Sequence, residues 1–564
     1  MLVAVLSQPG KNSFSFLRDI FNMKHIVPGT LVHYIEVARL VSKKKSKITG
    51  NPAAINAHIG GQFFFAPHYM ALEAHIHHTL NHTALLGYLS SLAEKEEICL
   101  SDLLKQFCPE KGFFIDLYKA YQDLWRSSTL NRSSFNEFLE WQKKEKIGST
   151  GYLDNCHGQD ESLALMKNYF QNLGIPVEEN QVVMGTGFKN LFNSLVAVLM
   201  TKNVEVDENG RAFRKRNPGT ILVPRGHYQS LVKAPSFHNS RLKVIERIDV
   251  DHIREELKTR GDIKAVYLSV VANPSGAIMP EEQMRGIAEV ILEYNEANKN
   301  NPVFVIADQV YNGSILKKGL SIFSIASVSG KFFSMYNYTI TIVSPSKTLG
   351  YASARIGFAA SGATIPGDKE SIIGRMKALM AHEGSDGVEV STEVGAVGAY
   401  AFSTKEWIDK NSSYIRSQLV RARQHADSIN SHIGYTFFTI NNPDAGWYIL
   451  SKFMRKNLPA LIENSTDLMV YFMNYNHCAE NTGFITRPGS QFGYEAPDLP
   501  QNDFLILRST LAMKPEDLDE FFRRFREGIV KLAALKELEN QNPEQLHRHL
   551  TEYTENELKT ILKE

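Results

Sequence analysis

Five short polar clusters, each directly behind an apolar run, hold the residues best suited to chemistry. The run 181–184 leads into Gly185-Thr186-Gly187, with a helical stretch opening at Phe188. The run 220–223 leads into Pro224-Arg225-Gly226-His227-Tyr228, and 265–271 leads into Ala272-Asn273-Pro274-Ser275-Gly276. The run 303–307 ends in Asp308-Gln309-Val310-Tyr311, and 339–343 ends in Ser344-Pro345-Ser346-Lys347, with Arg355 close behind. A Gly-Thr-Gly turn that opens a helix offers backbone N–H groups and the positive end of the helix dipole to a phosphate. Ser344, Ser346 and Arg355 would complete its neutralisation. Either His227 or Tyr228 supplies a flat aromatic surface. A carboxylate (Asp308), an amide (Asn273), a phenol (Tyr311) and an amine (Lys347) complete the inventory.

What positions these groups is the alternation of β-branched runs with helical stretches from about residue 181 onward, the pattern of a parallel α/β sheet. In such a sheet a ligand sits beyond the carboxyl ends of the strands, where all five clusters would converge. Each cluster alone has an ordinary reading. A Gly-x-Gly is usually a turn, Asn-Pro-Ser-Gly a β-turn, a strand-end Asp a helix cap, and a single Lys a surface residue. Their order along the chain is what carries weight.

That order resembles the class I/II aminotransferase family of fold-type-I pyridoxal-phosphate enzymes. Asn273-Pro-Ser-Gly276 is similar to the family's Asn-Pro-x-Gly, and Asp308-Gln-Val-Tyr311 to its Asp-x-x-Tyr. Ser344-Pro-Ser-Lys347 with Arg355-Ile-Gly357 is similar to its Ser-x-x-Lys and Arg-x-Gly. Ala445-Gly446-Trp447-Tyr448, the segment Pro488-Gly489-Ser490-Gln-Phe492-Gly493, and Phe504-Leu-Ile-Leu-Arg508-Ser-Thr resemble its small-domain signatures. Ile55-Asn56-Ala57-His58-Ile59-Gly60 resembles its N-terminal glycine segment. The resemblance spans about residues 55–85 and 150–535.

The resemblance implies pyridoxal 5'-phosphate as cofactor, held by Lys347 as a Schiff base. It further implies Gly185, Thr186, Gly187, Phe188, Tyr228, Asn273, Asp308, Tyr311, Ser344, Ser346 and Arg355 around that cofactor. Tyr152 would reach the phosphate of a partner subunit, and Arg508, Asn273 and Gly60 would meet the substrate. Lys347, Asp308 and Tyr228 are the residues implied to act in catalysis. The implied activity moves an amino group between an α-amino acid and a 2-oxo acid in a homodimer. The same motifs serve decarboxylases and lyases, an aspartate β-decarboxylase among them, so that alternative stays open. No second cation for a dicarboxylic side chain stands out from the sequence.

The implied fold is a large, mostly parallel α/β domain plus a smaller α/β domain, with a helical insertion. The expected division is an arm at 1–54, the start of the small domain at 55–85 and the insertion at 86–150. The cofactor-binding domain follows at 151–365, the small domain at 366–536, and a charged helix or tail at 537–564. The family's Tyr-x-Pro-x-x-Gly stands here as Tyr152-Leu-Asp-Asn-Cys-His-Gly158, without the Pro and one residue longer.

Composition excludes several other classes. With 62 basic and 61 acidic side chains the net charge is +1, so neither nucleic acid nor an anionic membrane is an expected partner. Four widely spaced cysteines, Cys99, Cys108, Cys156 and Cys478, argue against a disulfide framework or a zinc ribbon. The apolar start is too short for a signal segment and no run spans a membrane, so a cytoplasmic location is expected. His75, His78 and His82, with Glu73, share a helical face, yet ordinary partly buried imidazoles are the better reading and no metal is expected. Ser344-x-x-Lys347 also fits penicillin-binding hydrolases, but their Ser-Asp-Asn and Lys-Thr-Gly partners do not occur. The 54 residues before Ile55 lack the two-helix pattern of a DNA-binding module.

Overall fold

The computed structural model describes residues 55–57 and 157–545, apart from 179, 207, 210–211, 331–333, 351, 383–387, positions between 389 and 404, 461 and 473–483. Gly60, Tyr152, the histidines at 75, 78 and 82, the insertion 86–150 and the arm 1–54 lie outside the described residues.

A seven-stranded sheet forms the large unit. Its strands are β1 (Val182–Gly185), β2 (Thr220–Pro224), β3 (Arg241–Ile245), β4 (Ile263–Ser269), β5 (Phe304–Asp308), β6 (Thr339–Val343) and β7 (Gly357–Ala360). The spatial order is β1-β7-β6-β5-β4-β2-β3. Only β7 runs against its neighbours, pairing antiparallel with both β1 and β6. The five apolar runs of the sequence are therefore strands that point the same way, and their polar clusters gather at one edge. Because β7 runs in reverse, Arg355, just before it, returns to that same edge.

Both faces of the sheet are covered, which is why its strands read as continuous apolar runs. Ile221, Val223, Ala265, Tyr267, Ile306 and Ile342 pack towards α1 (Phe188–Leu199). Leu222, Val266, Leu268, Val305 and Ala307 alternate onto the other face, against α2 (Val250–Thr259) and α3 (Glu281–Ala297).

The smaller unit is a four-stranded antiparallel sheet of β8 (Phe438–Ile440), β9 (Tyr448–Met454), β10 (Arg487–Pro488) and β11 (Phe504–Thr510), in the order β8-β9-β11-β10. Two long helices, Lys405–Ile433 and Pro515–Gln541, pack with it around a cluster of rings including Phe438, Phe453, Phe472, Phe484, Phe521 and Phe525. Ile55–Asn56 pairs in parallel with Phe484–Ile485, so the amino-terminal segment belongs to this unit. Thr510 N–H donates to Ala57 O at 3.1 Å.

The helix Ile372–His382 buries Ile372, Ile373, Met376 and Met380 in the same core as α1. The closing helix runs through Glu537 to Gln541, because Leu532 and Leu535 keep its apolar face buried up to that point.

Candidate active site

Lys347 and Asp308 stand at the carboxyl ends of adjacent strands. Asp308 closes β5, and Lys347 lies in the single helical turn Pro345–Thr348 that follows β6. Asp308 is buried, at 5% exposure. Its Oδ2 accepts from Tyr267 Oη at 2.5 Å and its Oδ1 from the N–H of Val310 at 3.1 Å. Burial raises its pKa to about 6 even though both hydrogen bonds pull the other way. Such a carboxylate is ready to stabilise a cation, or a ring N–H, placed against it.

The Gly185-Thr186-Gly187 turn opens the twelve-residue helix α1, with Gly187 as its N-cap at φ +90°. A Cβ on Gly187 would lie 3.2 Å from Arg355 Nη2, so the glycine makes room for a guanidinium beside the helix end. Thr186 N–H donates to Asn190 Oδ1 at 3.2 Å, which fixes the turn from within the helix. Arg355 itself holds a left-handed backbone, φ +52°, a conformation that costs a non-glycine residue about 1–2 kcal/mol. Its Nη1 donates to Ala352 O at 3.1 Å. Ser344 caps the Lys347 turn, accepting from Ser346 N–H at 3.2 Å, and its Oγ lies 2.8 Å from Ile356 O and 2.9 Å from Ser346 Oγ. Its hydroxyl is thus engaged in joining the Lys347 turn to the Arg355 loop, while Ser346 is half-buried at the turn's first residues.

A second chain of groups crosses between the two units. Arg508, on β11, donates from Nη1 to Asn273 Oδ1 at 2.8 Å, and Asn273 Nδ2 donates to Tyr311 Oη at 3.2 Å. All three are buried. Tyr448 lies under the guanidinium of Arg508, with Cζ 3.8 Å from the ring centroid, and Phe492 lies at 5.1 Å. Lys347 Nζ is 5.5 Å from the centroid of Trp447. Burial raises the pKa of Tyr448, but Lys347, Arg508 and Arg487 outweigh that and draw it down. The Asn273-Pro-Ser-Gly276 turn is what lets the units meet here. Gly276 sits at φ +71°, a Cβ on it would meet Ala445 O at 2.5 Å, and its carbonyl accepts from the N–H groups of Asp444 and Ala445 at 2.9 Å each.

His227 and Tyr228 have different surroundings. His227 is 3% exposed, turns its Nδ1 to Pro224 O at 3.1 Å, and packs against Gly493. Burial lowers its pKa to about 4. Tyr228 meets Phe188 edge-on at 6.1 Å and bears electrostatically on Tyr267, Tyr311 and Arg487.

Sequence reading missed Tyr267, Asn190, Tyr448 and Arg487 as members of this group. Tyr267 could have been found as the one phenol inside the apolar run 265–271. Arg487 gave no comparable signal, because it precedes Pro488 in a two-residue strand.

An open sheet with an amine, a buried carboxylate and a helix-end anion cradle gathered at one edge is the architecture of fold-type-I cofactor enzymes. The chain belongs to the aminotransferase class I and II family, whose model matches residues 129–525, and that family depends on pyridoxal 5'-phosphate. It is 22% identical over 258 residues to an aspartate aminotransferase of Bacillus subtilis, an overlap of 45% of this chain and 57% of that protein. The chain thus aligns with little more than half the length of the curated relatives it matches. Among solved structures, the aspartate aminotransferase of Rhizobium meliloti superposes with a TM-score of 0.54 at 18% identity, over 71% of this chain and 88% of that one. The aromatic aminotransferase of Pyrococcus horikoshii gives 0.52 at 19%, over 71% and 92%. At these identities the superpositions show the fold, and the fold is the one the resemblance implied.

The residues present fit pyridoxal phosphate. The glycine turn leaves a cradle that a Cβ would fill, Arg355 lines it, and the buried Asp308 stands ready for a protonated ring nitrogen.

Proposed function

We propose that this protein is a pyridoxal-phosphate-dependent aminotransferase that moves an amino group between an α-amino acid and a 2-oxo acid. The observation that carries the reading is the buried Arg508–Asn273–Tyr311 chain, which brings a carboxylate-binding guanidinium from one unit to the edge where Lys347 and Asp308 stand in the other. When bound, the cofactor supplies an aldehyde carbon and a ring that accepts electrons from the substrate α-carbon.

The chain's own residues do the rest. Gly185, Thr186, Gly187, Phe188, Ser346 and Arg355 hold the phosphate, with Ser344 fixing the turn they share. Tyr228 covers the ring, and Asn273 and Tyr311 donate to its hydroxyl oxygen. Asp308, supported by Tyr267, holds a proton at the ring nitrogen. Lys347 Nζ anchors the cofactor and then carries the proton taken from the substrate α-carbon. Arg508 grips the α-carboxylate as a bidentate fork. We place two such chains together as a homodimer, in the cytoplasm; the partner-phosphate and substrate roles expected of Tyr152 and Gly60 fall outside the described residues. Among the described residues no helix is long and apolar enough to cross a membrane.

Nothing in the comparisons favours the decarboxylase alternative. The cofactor-loaded enzyme, mixed with single amino acids and no acceptor, should release one 2-oxo acid per active site and stop. Continuous release of carbon dioxide without an acceptor would replace transamination by decarboxylation.

A further inference from the structure

Arg487 and Arg508 are register partners across β10 and β11. Residues directly opposite in an antiparallel pair project from the same face with their Cβ atoms about 5 Å apart. Two guanidiniums so placed repel each other, and the repulsion is expensive where water is scarce. Arg508 has Asn273 and the Tyr448 ring to hold it. Arg487 is half-buried, and its Nε is a buried donor with no acceptor. No carboxylate forms an ion pair with it among the described residues. Burial first and Arg508 second lower its pKa to about 10, while Tyr448 and Tyr228 bear on it in the opposite sense. Arg487 thus stands beside Arg508 in the sheet and within electrostatic reach of Tyr448 and Tyr228.

Around the site stand Lys347, Arg355, Lys189, Arg487 and Arg508. Arg355 lies against Gly187 of the phosphate cradle, Lys189 stands in the first turn of α1, and Lys347 is the proposed cofactor anchor. Arg508 takes the substrate's α-carboxylate. Asp308 is committed to Tyr267 and the ring nitrogen. Among the described residues Arg487 has no carboxylate partner, and it lies beside Arg508 on the same sheet face.

We propose that Arg487 forms a second anion subsite, which takes the side-chain carboxylate of the substrate, so that the preferred amino acids and 2-oxo acids are dicarboxylic. This rests on the aminotransferase reading above. A four- or five-carbon diacid can bridge two guanidiniums on one sheet face, and binding it would turn the Arg487–Arg508 repulsion into two ion pairs.

The test uses the cofactor-loaded full-length enzyme and its Arg487→Met and Arg487→Lys variants. The parent should convert acidic amino acids in preference to neutral ones. Arg487→Met should lose about 30-fold in kcat/KM for acidic substrates, the size of one charge-assisted fork, and change little for neutral ones. Arg487→Lys should fall between them. Calorimetry supplies a readout apart from turnover, because succinate should bind the parent far more tightly than butyrate, and Arg487→Met should abolish that difference. Equal losses for acidic and neutral substrates, or weaker cofactor retention with side-chain preference unchanged, would overturn the subsite. If no amino acid yields a 2-oxo acid, the aminotransferase reading fails, and the succinate–butyrate comparison still decides the subsite by itself.

Discussion

Tyr267 donates its phenolic proton to Asp308 Oδ2 at 2.5 Å, from β4 to the adjoining strand β5, where Ser269 pairs with Asp308. Both side chains are buried, and burial lifts the pKa of each above its ordinary value. The phenol therefore holds the carboxylate in one orientation and favours its charged form. Tyr267→Phe should leave the fold intact and lower kcat by about 10- to 100-fold, the size of one hydrogen bond to a charged group. The acid limb of the pH–rate profile should move to higher pH, because a hydrogen bond that lowers the Asp308 pKa is gone. An unchanged profile would reduce Tyr267 to packing.

Asp308→Asn should bind some cofactor but turn over more slowly by several powers of ten, a loss of about 4 kcal/mol or more. A second effect appears in the cofactor-free protein. The folded-state pKa of Asp308 is raised from 3.8 to about 6, so the stability gained from keeping its proton is present at low pH and lost as pH rises through about 6. That change amounts to about 2–3 kcal/mol. Denaturation curves between pH 4 and 7 should show Asp308→Asn gaining on its parent as pH rises. Parallel pH dependences would mean the carboxylate is not buried as described.

Why the strands and their end clusters could be read from sequence is clear from β5. Val305 and Ile306 face opposite sides of a doubly covered sheet, so the apolar run is unbroken until Asp308 meets the ligand edge. The edge strand β3 was not legible, since Arg241 and Lys243 interrupt its pattern and only Ile245 is buried. The core that receives Ile372–His382 was not legible either, because the helix has the apolar spacing of any amphipathic helix, and spacing does not say which core receives it. Arg487 stayed hidden for a different reason. Its meaning comes from standing opposite Arg508, a register that no local pattern reveals.

Arg508→Leu should remove a bidentate, charge-assisted contact and lower kcat/KM for α-amino acids by about 10- to 100-fold or more. The cofactor's absorbance should persist, since the guanidinium is assigned to the substrate carboxylate and the cofactor is held by other residues. Amines without a carboxylate should react as in the parent. Steady-state kinetics with paired amino acids and amines checks this, and near-parental efficiency with every amino acid would assign Arg508 to structure alone.

The central claim is that Lys347 is the cofactor's anchor. Borohydride reduction of the pyridoxal-phosphate-loaded enzyme, followed by proteolysis and mass mapping, tests it directly. The account predicts a stable cofactor adduct on the peptide containing Lys347, and no adduct in Lys347→Ala. An adduct on Lys189 or any other lysine in the unaltered enzyme, with Lys347 unmodified, would contradict it.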